Sequence, residues 1–268
     1  MNTTSPRRWA PWITGLRSAA TGLALSLVLF GTTRAAFATT VTNIAVADAF
    51  VATGPTGNLS DNNYGGGGAL AVSAPGLPNG EFQSVIKFNL STAHNFLDAL
   101  YGAGNWSVQS ITLRLTSSPH SNVIYNDIAA GLFGVSLMQN NSWVEGTGNA
   151  SNPSSTGITY NTLQNTFINN ALDQPLGNFN FPGGTSGANN YALTLASGLT
   201  SDLLSGSLAS LRLYAADSSV SYLFSSRAQL APDQPQLLID AVPEPAAMSL
   251  FAAGLGILLL ARRSLARH

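Results

Sequence analysis

No cysteine occurs in the 268 residues of this chain. Disulfides and thiolate chemistry are thereby excluded, and the fold must be held by an ordinary apolar core, for which about 200 residues suffice. Charge is scarce as well, only 9% of residues against about 25% in an average domain. It is also unevenly placed. Between Thr39 and Asp240 the cations are Lys87, Arg114, Arg212 and Arg227, against eleven carboxylates, so this stretch carries a net charge of −7. So acidic a domain, nearly without lysine, offers no footprint for nucleic-acid phosphates. Histidine is rare too: within that stretch only His94 and His120 occur, neither at a metal-ligand spacing. There is no Gly-x-Ser-x-Gly elbow, and "YGGGGAL" lacks the Gly-Lys-Ser/Thr ending of a phosphate loop.

What is present begins at the ends. Arg7, Arg8 and Arg17 precede the apolar stretch "AATGLALSLVLFG", and Ala36 and Ala38 supply small residues at the spacing signal peptidase requires. The reading is a signal peptide over 1–38, a signal helix cut after Ala38 on the ordinary secretory route. At the other end, residues 242–268 carry Pro243, Glu244 and Pro245, an uncharged run "AAMSLFAAGLGILLLA", and Arg262, Arg263 and Arg267. The run lies near the lower limit of about 17 residues for a spanning helix, so a short C-terminal transmembrane helix is expected, with the arginines on the cytoplasmic side. The two prolines should keep the triplet extended and free of sheet pairing.

Between the ends, 39–241 is expected to form one all-β domain. Short alternating runs recur at 69–74, 84–90, 111–115, 132–138, 191–196, 210–216, 221–226 and 236–240. In "ITLRL", Ile111, Leu113 and Leu115 face one side and Thr112 and Arg114 the other. Gly, Asn, Ser and Pro fill the connections. One short helix, capped by Ser or Thr, is expected at 91–102. Eight strands over this length predict two packed antiparallel sheets, a jelly-roll β-sandwich.

The order of Pro-Glu-Pro, short apolar helix and terminal arginines resembles the PEP-CTERM sorting signal of Gram-negative bacteria. That resemblance implies an exosortase partner, transient anchoring on the periplasmic side of the inner membrane, cleavage near the triplet, and delivery to the cell surface or extracellular matrix. Further motifs, "ADAFV" (47–51), "DNNYG" (61–65), "SVIKFNLS" (84–91), "WVEGTG" (143–148), "GITY" (157–160), "YALTL" (191–195) and "FSSR" (224–227), resemble in their order the DNRLRE domain family, which is similar to carbohydrate-binding module family 96. Two positions depart from its pattern: Ala228 follows Ser226-Arg227 where members carry an acid, and Tyr160 follows Thr159 where they carry Trp.

The expected function is therefore a non-catalytic polysaccharide-binding module with exopolysaccharide as partner; a structural adhesin or self-associating matrix protein is the alternative, and a lyase or hydrolase ranks behind both. Trp143 with Glu145 reads either as a sugar platform with its hydrogen-bonding carboxylate or as a ring closing the sandwich edge. Trp106 and Tyr64, in Gly/Asn-rich loops, are the other two stacking candidates. Arg227 is expected to pair with a nearby carboxylate. Glu145 with Asp127 is the one pair that invites a glycosidase reading, with no distance to support it. No cofactor is expected; a structural calcium ion near Asp48 or Asp61 stays open.

Overall fold

The computed structural model describes residues 38–120 and 122–244. The predicted signal helix with Ala36, and the tail with Pro245, Arg262 and Arg263, lie outside the described residues. Residues Ala38–Pro243 form one compact unit.

Ten antiparallel strands form its framework: β1 (Thr39–Ala52), β2 (Ala69–Ser73), β3 (Phe82–Asn89), β4 (Trp106–Thr116), β5 (Gly131–Met138), β6 (Gln174–Phe181), β7 (Ala188–Leu193), β8 (Leu208–Ala215), β9 (Ser221–Ser225) and β10 (Gln236–Pro243). Hydrogen-bonded neighbours run β6-β5-β8-β3-β1-β10-β4-β7, with β2 joining β3 to β9. Strand β1 is the hinge of this path. Its first half, Thr39–Ile44, pairs with β10, and from Ala45 onward it pairs with β3, with an irregularity between Ala45 and Ala47. Such a bulge bends a strand and lets it serve two sheet halves. The sheet nearly closes, because Thr194 beyond β7 donates to the carbonyl of Leu176 in β6.

Alternation sends Ile86, Phe88, Leu211, Leu213, Phe133 and Val135 to one core with Ile111, Leu113, Leu115, Leu237 and Ile239 from the other half. Each such side chain contributes about 1.5–3 kcal/mol on leaving water. Helix α1 (Ser91–Tyr101) buries Ala93 and Leu97 in that core and ends at Gly102, whose φ of +91° suits glycine. Neither Ser91 nor Thr92 caps it; the Asn89 carboxamide accepts from the Ser91 N–H instead. Two further helical segments are α2 (Tyr160–Thr162), continued by a π-turn over Leu163–Phe167, and α3 (Ser197–Leu204). Among the described residues no helix is long and apolar enough to cross a membrane.

All eight expected runs are strands. The last is longer than expected: β10 continues to Pro243, which pairs with Trp106. The first proline of the triplet is thus not free of the sheet. A strand terminus tolerates a missing N–H, which is why proline can close the strand there.

A second, smaller core explains the rest of the burial. The segment from Asn140 to Ile168 folds over the outer faces of β1 and β3, so Ala49, Val51 and Val85 pack on Trp143, Ile158 and Leu163.

Candidate functional site

Segments 47–51, 61–65, 143–148, 157–160 and 224–227 meet at this overlay, and its centre is Asn63. Its side chain is fully buried, and every valence is used. Nδ2 donates to the carbonyls of Glu145 (2.6 Å) and Ile158 (2.7 Å), while Oδ1 accepts from the N–H groups of Gly65 (3.2 Å) and Gly148 (3.0 Å). Loops 61–68 and 144–158 are thereby tied together. The approach requires glycine: a Cβ at Gly65 would lie 2.0 Å from the Glu145 carbonyl oxygen, and one at Gly148 would lie 2.1 Å from that of Asn63.

Next to this knot, Arg227 donates from Nε to Glu145 Oε1 (2.8 Å) and from Nη2 to Oε2, a bidentate ion pair. The expected pairing of Arg227 is therefore present. Its backbone N–H donates to Asp48 Oδ2 (2.6 Å), and the Asp48 N–H donates to Glu145 Oε1 (3.2 Å). Burial pushes the Asp48 carboxyl up from 3.8 to about 7, against the Arg227 N–H, with the Glu145 charge adding to the rise and the Arg227 charge opposing it. Arg227 is itself held further up, chiefly by its bond to Glu145.

A proton held more tightly in the folded state than in the unfolded chain makes stability greatest below pH 3.8, and that contribution is lost as pH rises through about 7. Each unit is worth about 1.4 kcal/mol, so urea unfolding should show stability falling by up to about 4 kcal/mol across this window. Asp48→Asn is expected to remove most of the slope. Asp202, raised by its own burial, leaves a residue of the same sign, whereas Asp217 and Asp240, both lowered, act only below 3.8. An unchanged slope in the variant would exclude Asp48 as its source.

Of the sequence-predicted residues, Trp143, Glu145 and Tyr64 lie in or beside this knot and Trp106 lies in the main core, and none of the three rings reaches a surface. Trp143 is 1% exposed, its Nε1 donating to Ser210 Oγ (2.9 Å) and its ring lying 4.3 Å below the Lys87 ammonium. Lys87 also donates to the Trp143 carbonyl. Tyr64 is 2% exposed and stacks on Phe50 at 4.6 Å. Trp106 is not in a loop: it opens β4, is 3% exposed, and donates from Nε1 to Asp98 Oδ1 (2.7 Å), fastening α1 to the sheet. The stacking roles expected of Trp143, Trp106 and Tyr64 are corrected on this ground, since a ring without an open face cannot receive a sugar. Glu145 spends its carboxylate on Arg227 and Asp48, and Asp127 is exposed elsewhere in the chain.

Asp61 accepts from Asn161, and Asp48 from Arg227. Among the described residues no group of three or more His, Asp or Glu side chains could hold a metal ion. Sequence reasoning missed Asn63 and the Asp48–Arg227 contact. The signal for Asn63 was its setting, an asparagine separated by Tyr64 alone from four glycines, which reads as a turn until its partner loop is known.

No family model and no curated protein sequence matches the chain.

Proposed function

We propose that this chain is an exported, non-catalytic surface or matrix protein with a jelly-roll sandwich that holds polysaccharide. The observation that carries the non-catalytic part is the commitment of the central charged groups: Asp48, Glu145 and Arg227 bond one another, so the carboxylates are spent on holding the loops. Rigid loops on an antiparallel shell supply positioning without chemistry. The resemblance to carbohydrate-binding modules and to the PEP-CTERM signal supports the polysaccharide partner and the route: signal peptidase, transient inner-membrane anchoring, exosortase, then the surface or matrix.

Fractionation of the producing cells tests the route. Glu244→Ala/Pro245→Ala leaves β10 intact and should move the protein from the matrix to the membrane fraction. An unchanged distribution would refute exosortase sorting.

A further inference from the structure

A row of polar and aromatic side chains crosses the outer face of the sheet beside the overlay. Period-two alternation puts Arg212 and Tyr214 of β8 on this face, with their neighbours Leu211 and Leu213 in the core. The Tyr214 ring crosses Gly134 of β5, where a Cβ would come 2.5 Å from Cζ. The Arg212 guanidinium lies 4.7 Å from that ring's centroid, and its Nε donates to Gln83 Oε1 (2.7 Å). Gln83 is 2% exposed and donates in turn to Glu81, whose other oxygen accepts from the Tyr160 hydroxyl (2.6 Å). Arg212, Tyr214, Glu81 and Tyr160 are each half-buried.

Arg212 is thus fixed at Nε and over the Tyr214 ring, yet both Nη groups make no hydrogen bond to the described residues. It has no ion pair either, the pairs among the described residues being His94–Asp98 and Arg227–Glu145. The nearby Asp173 is engaged by the N–H groups of Gln139 (2.8 Å) and Asn169 (3.0 Å). A planar donor fork held in place with its outer hydrogens unspent is pre-organised for two acceptor oxygens. Tyrosine rings beside it suit the apolar face of a pyranose.

We infer that the row Tyr160–Glu81–Gln83–Arg212–Tyr214 is a binding site for a neutral glycan, with the Arg212 Nη groups donating to two neighbouring hydroxyls and Glu81 accepting from another. Neutral chemistry follows from charge: Glu81 and Asp173 outnumber Arg212 locally, and the surrounding region carries −7, which repels a polyanion. This inference rests on the polysaccharide-holding reading and gives it a location.

The test is affinity electrophoresis of the full chain in mild detergent, through gels containing dextran, galactomannan or mixed-linkage β-glucan, beside alginate and polygalacturonate. Arg212→Lys keeps the charge but loses the fork, and Tyr214→Leu removes the ring; each should weaken binding of a neutral glycan about tenfold or more, the cost of one charge-assisted hydrogen bond or stacking contact. Arg114→Lys, on the other sheet half, should leave it unchanged. Circular dichroism melts confirm that each variant is folded, and Arg212→Gln replaces any that is not. Neutral-glycan binding unaffected by the Arg212 and Tyr214 changes overturns the site and leaves the polysaccharide reading standing. Preference for alginate or polygalacturonate overturns the neutral assignment, and free migration through every gel overturns both.

Discussion

Asn63→Ala should cost about 4 kcal/mol of stability, seen as a large fall in the urea midpoint. The change strands two carbonyls and two N–H groups in a site that admits no solvent to the side chain it replaces, and each unpaired buried group costs about 1–3 kcal/mol. Some of that loss is recovered as the loops relax, so the total stays below the simple sum. Asn63→Asp should be worse than alanine. Its carboxylate supplies no donor and sets an acceptor against the Glu145 and Ile158 carbonyls, which repel it. A loss under about 1 kcal/mol for alanine, or an aspartate milder than alanine, would show that the two loops are held by something other than Asn63.

Trp143→Ala is the second large effect, expected at about 3–5 kcal/mol. The ring fills the outer core against Val85, Ile158 and Leu163, carries Lys87 over its face, and satisfies Ser210. Trp143→Phe should fall between, retaining most of the apolar contact while losing the Ser210 bond and much of the cation–π attraction. The two variants separate packing from recognition: a folded Trp143→Ala protein with normal stability and selectively lost glycan binding would restore the ring as a platform. Lost binding that tracks lost structure would mean only that the overlay has come away.

These variants bear on what the sequence could reveal. "ITLRL" was readable as a strand because one face is core and the other is polar, and "SVIKFNL" because Lys87 and Asn89 still alternate with Ile86 and Phe88 although Val85 is covered on the outer face. Strand β1 was not, because its second half is covered on both sides. Ala49, Phe50, Val51 and Ala52 are all buried, which erases the alternation. Strand β6 was hidden by Pro175 and Gly177, residues that argue against a strand except at an irregularity, and here the pairing with β5 shifts register between Val135 and Ser136. The aromatic roles were illegible for a related reason. Whether Trp143 or Tyr64 is open depends on where the 140–168 segment lands, a long-range fact that no local window contains. Arg212 shows the reverse case. In "SLRLYAA" the alternation already places Arg212 and Tyr214 on one outward face. What it cannot give is Gln83 beside the guanidinium, since that contact crosses from β8 to β3.

The polar knot also explains how an acidic, cysteine-free unit keeps long glycine-rich loops in place. Arg227 draws Glu145 and Asp48 to one point, and Asn63 binds two loops there by four hydrogen bonds. Holding them costs side-chain entropy once, and the loops then need no disulfide.

The most direct test of the central claim, a protein that holds polysaccharide without altering it, incubates the full chain with each glycan of the panel and measures bound protein and newly released reducing ends in the same samples. The account predicts saturable binding to at least one neutral glycan with reducing ends that stay at the level of the protein-free control; reducing ends rising with time and protein concentration, or no binding to any glycan, would contradict it.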